Sequence, residues 1–120
     1  MKVFAVHLRK GGDGKTTITA NAGWGLAQRG YRVAIVDADT QAHITKWMDA
    51  EREADYELAD YFNGKCTAKD ALFSVRENFF VMPTASVGSD LRDWAQAKFD
   101  RSPVIMRQLI RDLELLDIDL

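Results

Sequence analysis

Between Lys10 and Thr17 the chain reads Lys10-Gly11-Gly12-Asp13-Gly14-Lys15-Thr16-Thr17. Glycines let a backbone turn its N–H groups inward around an anion with no Cβ in the way. A helix starting near Lys15 adds the positive end of its dipole, worth about 0.3–1 kcal/mol per nearby anion. In such a cradle of Gly11, Gly12, Asp13 and Gly14, Lys15 can reach the β- and γ-phosphates of a nucleotide. The Thr16 hydroxyl can then ligate Mg²⁺, and Thr17 can bond the α-phosphate. The usual G-x-x-x-x-G-K-[ST] spacing is not met, because Arg9 stands at its first glycine. Asp13 is also discordant: a carboxylate close to a polyphosphate and unpaired repels it by ~1–4 kcal/mol. A structural glycine turn is the competing reading. A second acidic cluster, Asp37-Ala38-Asp39-Thr40-Gln41, follows an apolar run. Two aspartates there suit Mg²⁺ organisation and the orientation of an attacking water. Alternatively, Asp39 or Thr40 caps the next helix.

These residues need elements to position them. Val3–Val6 and Val33–Val36 are continuous apolar runs, which suit strands buried on both faces of a parallel sheet. Between them, Lys15 to Arg29 has helical spacing with Ile18, Ala22 and Leu26 on one face, and Gly30 as a stop. Gly23 and Gly25 weaken that helix by about 1 kcal/mol each, which points to close packing on the sheet. Strand, glycine loop, helix and strand make a right-handed βαβ unit. Its carboxyl ends are where ligands bind in open α/β sheets. Further on, helices are expected from Thr40 or Gln41 to Glu53, Leu58 to Phe62 (ended by Asn63-Gly64), Thr67 to Phe73, Leu91 to Phe99 and Pro103 to Leu115. Thr67 with Asp70 forms a capping pair, and Phe79–Met82, closed by Pro83, forms a third buried strand. Ile118-Asp119-Leu120 reads as the approach to another strand.

Composition narrows the rest. The chain has 120 residues, is 47% hydrophobic and 28% charged, and carries a net charge of -2, so one globular α/β domain is expected and a strongly basic nucleic-acid module is not. The one cysteine, Cys66, allows no internal disulfide, and cytosolic residence fits best. No apolar run approaches the ~18 residues of a membrane span, and the start lacks the apolar core of a signal peptide. His7 and His43 lack partners at metal-ligand spacing and are read as structural. Trp24, Trp47 and Trp94 are read as core. Arg101, Arg107 and Arg111 are read as a solvated face, with Asp100, Asp112 and Glu114 interleaved.

The K-G-G-x-G-K-T-T loop resembles the deviant Walker A motif of the ParA/MinD family of ATPases, and VAIVDADTQAHITKW resembles the switch region of its ParA-type members. The resemblance is strong over residues 1–48 and weaker beyond. It implies a P-loop NTPase fold, with residues 1–120 as the N-terminal part of a single domain that stops before the Walker B strand. It implies ATP and Mg²⁺ as cofactors, Lys10 reaching into the opposite subunit of an ATP-dependent homodimer, Lys15 on the phosphates, Asp39 orienting water and Asp37 ordering the Mg²⁺ shell. Thr40 stands where the family usually has proline. The function implied is partition of plasmids or chromosomes in the cytoplasm on the nucleoid. Non-specific DNA binding would occur through regions largely outside this chain, a ParB-type partner would stimulate hydrolysis, and no membrane would be involved. Two alternatives stand beside it: a MinD-like positioning ATPase, and a nucleotide-binding regulatory module without turnover.

Overall fold

A computed structural model of the protein describes residues 1–7, 14–39, 41–84 and 102–120. The elements are α1 (Gly14–Gln28), β1 (Val33–Val36), α2 (His43–Trp47), α3 (Ala50–Glu53), α4 (Leu58–Phe62), α5 (Ala68–Ala71), β2 (Phe73–Arg76), β3 (Phe79–Met82) and α6 (Ser102–Leu115). The sheet order is β1-β3-β2. β1 pairs β3 in parallel, with Val33 opposite Phe79 and Val36 opposite Met82; β2 pairs β3 antiparallel, with an irregularity between Ser74 and Arg76. The sheet is therefore mixed.

The apolar runs of β1 and β3 serve two cores, one on each face. Val33, Ile35, Phe79 and Val81 pack with Ala27 of α1, Ile44 of α2 and Ala50 of α3. Met82, with Ala34, Val36 and Phe80 beside it, packs against Leu58, Ala68, Leu109 and Leu113 of α4, α5 and α6. Helix-sheet-helix layering follows, because a strand apolar on both sides must be covered on both sides. On the second face, the Tyr61 hydroxyl donates to Asp112 at 2.7 Å and joins α4 to α6. Burial, and then the Asp112 charge, push the Tyr61 hydroxyl far above its ordinary pKa.

Several local expectations hold. α1 ends at Gly30, whose φ of 95° lies where a side chain is strained, and α4 runs to Asn63-Gly64. Thr67 and Asp70 form a reciprocal capping box on α5. Others are corrected. Residues 1–7 form no strand, and Val3, Phe4 and Val6 are exposed. Residues 119 and 120 occupy the β1 edge instead: both N–H groups donate to the Arg32 carbonyl, and the Leu120 carbonyl accepts from Ala34. The N-terminal segment meets them through the Lys2 N–H, 2.9 Å from the Asp119 carbonyl. The expected helix to Glu53 is two helices, because Asp49 takes a left-handed φ of 54° between α2 and α3. The helix expected to reach Phe73 stops at Ala71, and Phe73 begins β2, a strand the sequence reading missed. Helix 91–99, Trp94 and Arg101 lie outside the described residues. Arg107 and Arg111 are exposed.

The face of α1 is also corrected. Ile18 is exposed, and the helix buries Ala20, Gly23 and Ala27 instead. Gly23 and Ala27 each stand one residue, about 100°, from Ala22 and Leu26, so the buried stripe is rotated about the helix axis and Leu26 lies half-buried at its border. The small set wins because it lets the helix backbone approach the sheet. A Cβ on Gly23 would lie 3.0 Å from Phe79 Cε2 and 3.2 Å from Ile35 Cδ1. Gly25, also expected to pack closely, has open space at that position. We expect Gly23→Val to destabilise the protein by about 1–3 kcal/mol through overpacking. Gly25→Ala should stabilise it by about 0.5–1 kcal/mol. Urea unfolding midpoints check both.

Candidate functional site

α1 begins at Gly14, so Lys15 and Thr16 sit in its first turn, where backbone N–H groups have no partner within the helix. Both are half-buried, and Thr17 is exposed. Among the described residues, nothing lies within 4 Å of where a Gly14 Cβ would stand. β1 lies beside α1 and ends at Val36, so the acidic turn starts at the carboxyl end of the strand, next to Lys15.

Asp37 is 4% exposed and fully engaged. Its Oδ1 accepts from the Asp39 N–H at 3.1 Å, and its Oδ2 accepts from the Thr45 N–H at 3.0 Å and the Thr45 hydroxyl at 2.6 Å. The Thr45 Oγ1 in turn accepts from the Thr84 N–H, just past β3. This buried chain fixes the end of β1, the middle of α2 and the end of β3 to one another. The turn between them carries strain: Ala42 has a φ of 55°, a conformation that costs a non-glycine residue about 1–2 kcal/mol. The Gln41 and Ala42 N–H groups bond the Asp39 Oδ1 and carbonyl and hold it there.

Asp39 thereby faces Lys15. Lys15 Nζ lies 3.4 Å from Asp39 Oδ2, and His43 Nδ1 lies 2.9 Å from the same oxygen. An ionised carboxylate only accepts, so that ring nitrogen carries the proton. Burial pushes the Asp39 carboxyl up, but the Gln41 N–H, the His43 ring and the Lys15 charge outweigh it and hold its pKa below the ordinary value. Lys15 and Asp39 side chains are 28% and 20% exposed, so water screens the pair and its worth is about 0–1 kcal/mol. A contact of that strength is readily exchanged for a phosphate.

A family model described as an AAA domain matches residues 1–114. The septum site-determining protein MinD of Neisseria meningitidis is 37% identical over 87 residues, covering 70% of this chain and 32% of that protein. The chain belongs to the ParA/MinD family of P-loop ATPases. MinD of Pyrococcus horikoshii, solved with Mg-ADP, superimposes with a TM-score of 0.67 at 28% identity, over 83% of this chain and 40% of that one. A plasmid partition protein of Borrelia burgdorferi shares the fold, with a TM-score of 0.71 at 20% identity over 84% of this chain and 45% of that one. The chain spans less than half the length of the relatives it matches. No helix among the described residues is long and apolar enough to cross a membrane.

In this ParA/MinD chain the structure brings Lys15, Asp37 and Asp39 together; Lys10, Gly11, Gly12, Asp13 and Thr40 lie outside the described residues. The side chains suit Mg-nucleotide. The described residues offer no cluster of three or more acidic, His or Cys side chains for a metal. Mg²⁺ is ordinarily held by substrate phosphates, waters and one or two protein oxygens, so such a cluster is not required. The saturated bonding of Asp37 Oδ2 suits a carboxylate that orients water rather than one that ligates metal. Two participants were missed. His43 sits four residues after Asp39, a helical spacing that could have flagged it. Thr45 meets Thr84 across 39 residues, which no local pattern reports. Trp47, read as core, is exposed.

Replacing the Thr45 hydroxyl leaves a buried carboxylate oxygen and a buried N–H each short of a partner. Thr45→Val should therefore cost about 2–4 kcal/mol, and Thr45→Ser less than about 1.5, in urea unfolding. The depressed Asp39 pKa makes a second prediction. Its stabilising contribution is present above the ordinary carboxylate value of 3.8 and is lost as pH falls through the lower folded value. Carboxyl NMR titration should find Asp39 ionised at pH 4.

Proposed function

We propose that the complete protein containing this chain is a ParA-type ATPase that partitions plasmids or chromosomes, with residues 1–120 as the N-terminal part of its P-loop domain. The observation that carries the reading is the meeting of Lys15, at the start of α1, with Asp39, at the carboxyl end of β1. In this reading Gly11, Gly12, Asp13, Gly14 and Thr17 surround the phosphates of ATP, and Lys15 leaves Asp39 for the β- and γ-phosphates. Thr16 holds Mg²⁺, which neutralises phosphate charge when bound. Released from Lys15, Asp39 keeps its bonds to Gln41 and His43 and is free to orient a water. Asp37 keeps the turn in place. Lys10 crosses to the second subunit of an ATP-dependent homodimer, which binds DNA in the cytoplasm through regions largely outside this chain, and a ParB-type partner stimulates turnover. The family membership, the Mg-ADP complex of P. horikoshii MinD and the partition-protein fold support this reading.

A second reading, a MinD-like positioning ATPase, is favoured by the 37% identity to N. meningitidis MinD. ATP-dependent sedimentation of the complete protein with anionic lipid vesicles, rather than with DNA, would select it. For the shared site, Lys15→Ala in the complete protein should weaken Mg-ATP binding by about 30-fold or more in calorimetry, a change of ~2 kcal/mol. Unchanged affinity would remove the phosphate-loop assignment.

A further inference from the structure

β2 is the outer strand of the described sheet, and the backbone bonds that the described residues show for it run to β3. A cleft of about 580 Å³ touches all four of its residues, Phe73 to Arg76. The cleft also touches Phe79 of β3 and Ala20, Asn21 and Trp24 of α1, so it lies over the sheet face that packs on α1, beside the outer edge of β2, where N–H and C=O groups of a strand point out. The facing wall is Trp24 of α1 with Trp47 and Met48 at the end of α2, and Trp47 is 55% exposed. An open strand edge beside an apolar wall suits an extended polypeptide: main-chain bonds supply affinity, and alternate side chains seat against the wall. The charge of the rim narrows the occupant. Among the described lining residues, Glu53 brings an exposed carboxylate to it, while the one basic residue, Arg76, turns its Nη1 back to the Val75 carbonyl.

We propose that this edge is a docking site for an extended segment of a partner protein with alternating apolar and basic residues. The segment adds a strand to β2, places an apolar side chain against Trp24 and Trp47, and sets a basic one beside Glu53. Lys15, Asp37 and Asp39 do not line the cleft, so the proposal stands apart from the nucleotide site.

The test uses the complete protein and an eight-residue peptide of alternating lysine and valine. Binding is read by tryptophan fluorescence, and strand addition by hydrogen exchange at those amides of residues 73–76 that do not donate to β3. The expected result is saturable binding with slowed exchange at those amides. Binding should weaken at least about tenfold with a glutamate-valine peptide, with the same peptide N-methylated at alternate backbone nitrogens, and with Trp47→Ala. Trp47 is exposed, so its replacement should leave folding intact, and the N-methylated peptide tests the backbone pairing with the protein unaltered. Three results would each overturn the proposal: no binding, equal binding of the N-methylated peptide, or protection without peptide of those amides among 73–76 that do not donate to β3. The last would mean that the edge is covered by the chain itself or, where protection grows with protein concentration, by a second copy. Mg-ATP binding is measured separately, so failure here leaves the nucleotide site untouched.

Discussion

A buried carboxylate organises this molecule. Asp37 accepts three hydrogen bonds from Asp39 and Thr45, and the same Thr45 hydroxyl accepts from Thr84. A carboxylate out of water is tolerated only when its lone pairs are taken. Taking them here ties together the end of β1, the helix that follows and the end of β3. The left-handed Ala42 is one consequence, because the chain must turn sharply to bring Thr45 back under Asp37. The position of Asp39 is another: its N–H is held by Asp37, which leaves its side chain facing Lys15 at the start of α1.

The sheet extends the same arrangement. β1 and β3 run parallel with both faces covered, so the segments leaving them emerge at one end of the molecule. That end gathers the acidic turn, the start of α1 and Thr84. Close seating of α1 depends on Gly23, whose missing side chain leaves room for Phe79 and Ile35. The spacing of Lys15 from Asp39 thus rests on a packing choice two turns along the helix. Arg32 joins the closing residues to this frame: its guanidinium stacks over Phe80, its Nε donates to the Asp117 carbonyl, and its N–H donates to the Asp119 carboxylate.

What could be read from the sequence was what local chemistry determines. The apolar runs of β1 and β3, the Gly30 stop and the Thr67–Asp70 box are each set within a few residues, and the place of the acidic turn directly after a strand was legible through the apolar run before it. Features set by tertiary contact were not. β2 is four residues of Phe-Ser-Val-Arg directly after a helix, too short for alternation to outweigh the helical pattern before it. The buried face of α1 was misjudged because Ile18 is more apolar than Gly23, while close approach favours the smaller residue. Residues 1–7 have a strand's composition, but a strand also needs a neighbour for its backbone groups. Thr45 looks like any helical threonine until Thr84 is brought beneath it.

The measurement that bears most directly on the account is single-turnover ATP hydrolysis by the complete protein with Asp39 and with Asp39→Asn, alongside Mg-ATP affinity. Asparagine can keep the bond from the Gln41 N–H while removing the charge proposed to orient and accept from water. The account predicts affinity within about threefold of the original, since phosphate binding falls to Lys15 and the loop, and a rate lower by about 100-fold or more, the usual worth of a positioned acid-base group. An unchanged rate, or affinity lost together with rate, would contradict it.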